Sequence, residues 1–363
     1  MKLFKYPYLV QNKILDNMEY SNLFLLSFLS KKMKDLIKAS QVNRFKRVRN
    51  IKYSSLWGQQ VVYIPYKEGR RDVIMSYGWH LNATRKLFQL RISGESITFR
   101  MCNRENQCFP LANTMHGSEE AIIAFHNHLL DLFGTTVTFL YVGSDYDVIR
   151  QLRNVTACEI GMQYLFTHMR TLENFLTASP VFKFIHITAR TTEEQFNPES
   201  KIYQAESIQI DQRDHTFPAI LHRYQGRQAV LRCTHCNLHH LMDFVKKWKS
   251  GEGFQNLEYL KIKIICNGVP QLQIFNEIGA RYIDATKQPP AHSVPRVYIE
   301  CNDDEEPNTE PIISHAYVVR ESDNRVASVL IQARTLSFGV WDKTEEEFLR
   351  MVEQFSIDKL TKL

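Results

Sequence analysis

Apolar positions near the start of the chain recur at helical spacing but never in a long run. In "YPYLVQNKILDNMEYSNLFLLSFLSKKM", residues 6–33, Val10, Ile14 and Met18 follow one another at i+4 with Leu15 beside them. This is one stripe of a helix, and Pro7 suits its first position, where a missing N–H costs nothing. The break at Glu19-Tyr20-Ser21-Asn22 supplies caps for a second helix carrying Leu23 and Leu26, and Ser30 caps a third with Met33, Leu36 and Ile37 on its inner side. Asn12, Lys13, Asp16, Asn17, Glu19, Ser21 and Asn22 interrupt the apolar residues every few positions. That pattern excludes the unbroken core of an export signal and the roughly 20 apolar residues of a membrane span. Three helices this short are marginal alone, so part of their apolar surface should be used against something else. A helical cap on the following domain is one such use.

The periodicity then changes. "NIKYSSLWGQQVVYIPY" and "KLFQLRISGESITFRM" alternate and are rich in β-branched and aromatic residues, with Gly58 and Gly94 as turn signals. From Ser118 helical and strand patterns take turns. The helical segments are "EEAIIAFHNHLLDLFG", "YLFTHMRTLENFLTA", "FPAILHRY", "NLHHLMDFVKKWKSG" and "PQLQIFNEIG"; the strand-like ones are "TTVTFLYVG", "VTACEIGM", "KFIHITAR", "AESIQID", "QAVLRCT" and "LEYLKIKII". Strands separated by helices predict right-handed crossovers and a mainly parallel sheet. The intervals are too irregular for a regular leucine-rich repeat, so the expected architecture is a leucine-rich-repeat-like βα array. After "PPAHSVP" the strand pattern returns in "RVYIEC", "HAYVVRE", "ASVLIQAR" and "TLSFGVW", and Thr344 with Glu347 forms a capping box that opens a last helix through Phe348, Val352 and Phe355. The expected class is α+β: N-terminal helices, a β-rich segment, the βα array and a C-terminal antiparallel extension.

Composition adds bounds. The chain has 363 residues, 44% hydrophobic and 23% charged, which suits a folded protein with room for two domains. Seven scattered cysteines, with no export signal before them, predict reduced thiols in the cytoplasm or nucleus. The net charge of +6 is concentrated: residues 31–50 hold Lys31, Lys32, Lys34, Lys38, Arg44, Lys46, Arg47 and Arg49 against Asp35 alone. A nucleic-acid-binding patch at 31–50 is the alternative reading of the chain. No interleaved aromatics accompany the charges, so a solvated face or a rim meeting an acidic partner fits better.

Candidate chemistry is sparse. "CTHCNLHH" places Cys233 and Cys236 at Cys-x-x-Cys spacing ahead of His239 and His240. Zinc accepts such ligands, but structural zinc joins two segments distant in sequence, and no second Cys/His pair lies near. A strand end running into a helix explains the same residues. His126 and His128, two apart on a helix, point to nearly opposite sides and cannot readily share an ion. The chain contains no G-x-S-x-G, G-x-x-x-x-G-K-[ST], G-x-G-x-x-G or H-E-x-x-H. No catalytic residue, metal or cofactor is expected.

The N-terminal stretch resembles an F-box, the motif that joins a target receptor to an SCF-type ubiquitin ligase. The resemblance rests on the Pro at position two, Ile14, the pair Leu15 and Met18, Leu23, and Leu-Ser-x-x-Ser-Lys-Lys from Leu26 to Lys32. Tyr6 stands where Leu is usual, Leu9 where an acid is common and Met33 where Trp is frequent. The segment "HLMDFVKKWKSGEGFQNLEYLKIKI" looks like the type 2 F-box-associated domain of nematode-type F-box proteins, and "HNHLLDLFG" (126–134) is similar to another part of that family. The resemblance implies an F-box over 1–45 and an F-box-associated, substrate-recognition domain over 46–363. It implies a non-enzymatic receptor subunit in which Pro7, Val10, Ile14, Leu15, Met18 and Leu23 meet a Skp-type adaptor of a cullin-RING ligase. An unidentified protein target would then be held after about residue 50, by loops and exposed strand edges. The acidic run Asp303–Glu306 is a weaker candidate for steering a basic partner. No membrane is expected as a partner.

Overall fold

The computed structural model describes residues 3–56, 59–66, 70–77, 83–92, 95–104, 107–112, 119–134, 136–144, 152–162, 169–189, 196–212, 217–234, 237–265, 270–299 and 306–360. The chain divides into two compact units, 1–159 with 300–305 and 160–299 with 306–363. The class is α+β.

The first unit opens on α1 (Tyr8–Asp16), α2 (Tyr20–Ser27), α3 (Lys31–Ser40) and the short α4 (Val42–Phe45). Where three helices were expected there is a fourth, which ends by burying Phe45. Ser30 caps α3 as its position predicts, its hydroxyl accepting from the Met33 amide at 3.1 Å. Pro7 stands one residue outside α1, at ψ 149°, and its carbonyl accepts the first helical bonds from Val10 and Gln11. Beyond the helices come β1 (Asn50–Leu56), β2 (Gln59–Pro65), β3 (Arg71–Tyr77), β4 (Ala83–Ile92), β5 (Glu95–Arg104), β6 (Gln107–Ala112), α5 (Glu119–Phe133), β7 (Thr138–Ser144) and β8 (Val155–Met162). The strands are ordered β8-β7-β1-β2-β3-β6-β5-β4. β1 and β2 are antiparallel in the register Tyr53↔Val62, and β1 runs parallel to β7. The amphipathic α5 turns Ile122, Phe125, Leu129 and Phe133 inward, all buried.

The second unit holds α6 (Met169–Ala178), β9 (Phe184–Ala189), β10 (Ser207–Gln212), α7 (Phe217–Arg223), β11 (Gln228–Cys233), α8 (Leu238–Ser250), β12 (Tyr259–Ile264) and α9 (Gln271–Glu277). Strands β9 to β12 are all parallel, each beside the next; α7 and α8 supply the crossovers into β11 and β12, and a short 3-10 turn at Lys201–Gln204 precedes β10. Leu241, Phe244, Val245 and Trp248 form the buried face of α8, and Gly251 ends it at φ 77°, the left-handed C-cap its glycine suits. The chain continues through β13 (Arg281–Tyr282), β14 (Ala291–His292), β15 (Ile312–Ile313), β16 (Ala316–Val319), β17 (Arg325–Gln332), β18 (Thr335–Thr344) and α10 (Glu345–Leu360). The antiparallel extension is β16-β17-β18, with β18 pairing against β12. The capping box forms: the Thr344 amide donates to the Glu347 carboxylate at 2.9 Å, and the Glu347 amide donates back to the Thr344 hydroxyl at 3.4 Å.

"RVYIEC" does not form the expected strand over 296–299. Among the described residues the Arg296 amide donates to the Pro307 carbonyl at 2.9 Å beside an isolated bridge between Pro295 and Asn308, while Tyr298 stacks on Phe184 at 4.5 Å between ring centres and the Val297 amide donates to the Gln228 side chain. Gly58, Gly94, Cys236, and the acidic run apart from the exposed Glu306 lie outside the described residues.

Candidate functional site

The N-terminal helices have two faces. Inward, α1 buries Gln11 and Leu15, which are i and i+4, and α2 buries Tyr20, Leu23 and Phe24. Outward, Leu9 is 79% exposed and Val10 41%, and together with Lys13, Ile14 and Asn17 they line an open groove of about 550 Å³ along α1. The predicted contact residues therefore separate. Pro7 and Val10 are exposed, Ile14 and Met18 are half-buried, and Leu15 and Leu23 are fully buried at 0%. Helical geometry explains the split: Leu15 follows Ile14 by about 100° around the axis, enough to turn it from the groove to the interior. Leu15 and Leu23 hold the surface up from behind. Leu9, Lys13 and Asn17 complete it, and Leu9 was legible only as an apolar residue where an acid is common.

Several contacts fix the geometry of this surface. At the start of α1 the Gln11 side-chain amide donates to the Tyr6 carbonyl at 2.7 Å. At its end Arg44 donates to the carbonyls of Leu15 and Asp16, both at 3.3 Å, while its guanidinium lies 4.3 Å from the Tyr20 ring centre. Gln41, buried, donates to Asp16 at 2.8 Å. The amino end of α2 has no cap from its own neighbours. Its acceptor is Asp72 on β3, whose carboxylate takes the amides of Tyr20 at 2.7 Å and Ser21 at 3.4 Å. Burial pushes the Asp72 carboxyl above the usual carboxylate range, although those two amides and Arg44 pull it back.

Helix α5 holds the other side. Phe24 and Phe28 meet Phe125 and His128, with the Phe28 and His128 rings stacked at 4.0 Å. The Ser27 hydroxyl donates its one proton to the Phe24 carbonyl at 2.6 Å, so the 2.6 Å contact to His128 Nε2 has the imidazole as donor. His126, on the opposite side of α5, donates from Nε2 to the Arg153 carbonyl and accepts at Nδ1 from the Tyr53 hydroxyl at 2.8 Å. The two histidines thus face different elements, as their spacing predicts. Burial holds each imidazole at a pKa of about 4, so both are neutral near pH 7.

Part of the basic run is consumed internally. Lys34 and Lys38 both pair with Asp131, holding its carboxyl down at about 2 through their hydrogen bonds. Lys32 sits over the Phe4 ring and Arg44 closes α1. Lys31, Lys46, Arg47 and Arg49 remain on the surface. Cys233 is buried at the end of β11 ahead of α8, the strand–helix junction expected of it. Among the described residues no three His, Cys, Asp or Glu side chains converge as metal ligands would, and no helix is long and apolar enough to cross a membrane.

An apolar groove thus lies along the exposed face of α1, with Leu15 and Leu23 buried behind it. The F-box domain family model matches residues 7–45, the span from the proline before α1 to the last residue of α4. No curated protein and no solved structure matches the chain. Residues 7–45 are an F-box domain.

Proposed function

We propose that this chain is the substrate-recognition subunit of an SCF-type ubiquitin ligase. The F-box domain implies docking on the ligase's Skp-type adaptor, and the observation that carries the reading is the match over 7–45. The α1 groove supports it by offering apolar side chains already exposed in the folded chain, Leu9 and Val10, with the half-buried Ile14 beside them. The region after residue 45 holds a protein target, and its 225–265 segment, similar to the type 2 F-box-associated domain, supports that role. The chain itself does no chemistry in this reading. Ubiquitin transfer belongs to other subunits, and tethering raises the target's effective concentration there toward the millimolar range. The complex works in the cytoplasm or nucleus.

The test is reconstitution. Purified chain and purified Skp-type adaptor should co-elute in gel filtration, and the complex should survive high salt, because apolar burial is little screened. Binding by residues 31–50 to nucleic acid would instead fall steeply with salt. Absence of an adaptor complex at any salt, from a chain that is folded by circular dichroism, rejects the proposal.

A further inference from the structure

The parallel sheet of the second unit has two faces. One lies under the helices, where Ala229, Leu231 and Leu260 pack against Leu221 of α7 and Phe244 of α8. The other is graded along the strands. Gln228 and its neighbour Tyr259 are buried, Val230 and Lys261 half-buried, and Arg232 and Lys263 exposed, each pair in register across β11 and β12. At the buried end the Gln228 side chain donates to the Pro295 carbonyl at 2.7 Å and accepts from the Val297 amide at 3.1 Å, while Tyr298 stacks on Phe184. Residues 295–298 thus cover the amino ends of the strands. At the carboxyl ends Thr188, Arg232 and Lys263 stay exposed. Parallel sheets are normally covered on both faces, so an open stretch of one calls for a reason.

The open end is basic. Arg232 and Lys263 are direct partners on neighbouring strands, whose backbones lie about 5 Å apart, and like charges placed opposite each other repel. Among the described residues neither is in an ion pair, whereas cations nearby are matched: Arg227 by Glu206 and Glu258, and Lys261 by Glu310. A third cation, Arg334, donates to the Ile265 carbonyl at 2.6 Å just past the end of β12, and it too lacks a carboxylate partner among the described residues. The one acid in the row is Asp211, the register partner of Arg232 on β10. Asp211 is half-buried and engaged by His186 at 3.4 Å, and that hydrogen bond does most to hold its carboxyl below the usual range. One carboxylate already in use therefore stands against three cations without acidic partners.

We infer that the carboxyl end of this sheet face is the docking surface for an acidic segment of the protein target, with carboxylates on Arg232 and Lys263. The inference rests on the target-receptor reading above. Charge complementarity names the occupant. A second copy of the chain docking row to row would oppose like charges. Single-stranded nucleic acid is held by stacking on aromatic side chains, and the row Thr188, Asp211, Arg232, Lys263, Thr335 contains none. Asp211 bounds the surface on the β10 side, so the segment lies over β11, β12 and the start of β18. Val230, half-buried, and Ile265, 37% exposed, stand two positions from the cations. An apolar residue between two acids suits that arrangement.

The test uses the full chain and a pool of short acetylated, amidated peptides sharing Glu-Val-Glu and varied elsewhere, with a Gln-Val-Gln pool and oligothymidylate alongside. Retention of the Glu pool should exceed that of the Gln pool by about tenfold, as two exposed ion pairs allow. Lys263→Glu should cut it by about tenfold or more, because an attraction becomes a repulsion, and Arg232→Gln should weaken it independently. Lys263→Glu also gives Arg232 a cross-strand partner of opposite charge, so its melting temperature should equal or exceed that of the native chain. A lysine kept for structure would lower it. Lys46→Glu with Arg47→Glu, at exposed positions of the other basic stretch, should leave retention within about twofold at about 0.15 M salt, where distant charges are screened. Equal retention of the Glu and Gln pools, stronger retention of oligothymidylate, native retention in both row variants, or an equal loss in the Lys46/Arg47 variant overturns the assignment. So does a dimer that Lys263→Glu dissociates, which would give the row to a second copy. A rise in retention with Asp303→Asn, Asp304→Asn, Glu305→Gln and Glu306→Gln would give it to the chain's own acidic run and overturns it too. Adaptor association is measured on the same preparations: loss of peptide binding leaves the receptor reading standing, and loss of adaptor binding removes that reading alone.

Discussion

The α1 groove makes a prediction that separates contact from support. Leu9→Ala with Val10→Ala removes side chains that are 79% and 41% exposed in the free chain. Full burial of an aliphatic side chain is worth about 1.5–3 kcal/mol, and the exposed fractions are what a partner could still cover. Scaled in this way the pair contributes about 2–3.5 kcal/mol, and since alanine keeps its methyl, the expected loss is about 1.5–2.5 kcal/mol. That is roughly a ten- to seventyfold rise in Kd. Stability should hardly change, because both positions face outward and alanine favours the helix. Leu15→Ala should behave in the opposite way. Leu15 is 0% exposed, so truncation leaves a cavity costing about 2–5 kcal/mol of stability. Molecules that stay folded should keep nearly native affinity. The assay is calorimetric titration of each variant with purified adaptor, paired with urea denaturation. Native affinity in the Leu9/Val10 double variant, or a weakened but fully stable Leu15→Ala, would refute the assignment of contact to the outer face.

Other outcomes follow from the packing behind that face. Folded-state values near 4 for His126 and His128 lie below the 6.5 of a free imidazole, so between those limits the unfolded chain binds protons that the folded one refuses. Stability is therefore full above pH 6.5 and declines toward pH 4, by about 2–3 kcal/mol per histidine; a urea midpoint that does not move between pH 7 and pH 4.5 would contradict this. Asp72→Ala, which uncaps α2, should cost about 0.5–2 kcal/mol in urea denaturation. Asp72→Asn should cost less, since it keeps an acceptor and relieves the buried charge; the reverse order would show that the ionised form is essential. Gly226→Ala should lose about 1–3 kcal/mol or fail to fold, because a Cβ there would lie 2.0 Å from the Ala205 carbonyl oxygen, and a native urea midpoint would argue against that crowding.

What was legible in the sequence depended on how far apart the interacting residues lie. Ser30 capping α3, Gly251 ending α8 and the Thr344–Glu347 box are interactions within one turn, and each forms as its spacing indicates. The buried face of α8 follows from helical period alone. Asp72 capping α2 was invisible, because no local pattern marks a carboxylate 52 positions away as an acceptor. The α1 stripe was seen, but period by itself did not say which edge of it turns inward, where Leu15 is fully buried; that depends on packing with distant elements such as α3. In "RVYIEC" alternation suggested a strand, yet among the described residues its backbone pairing stops at the Arg296–Pro307 bond beside an isolated bridge, and Tyr298 stacks on Phe184. The row holding Arg232 and Lys263 could not have been found at all. It exists because parallel pairing brings together residues that are far apart in the chain.

The remote cap on α2 also bears on the order of events at synthesis. Chain segments made first are generally free to fold first. Here the first helices cannot reach their final packing on their own: α2 waits for Asp72, and then for the aromatic and histidine side chains of α5 and for Asp131 beneath α3. Short isolated helices are barely stable in water. The support behind α1 is therefore complete only once residue 133 has emerged from the ribosome, when most of the first unit has been made.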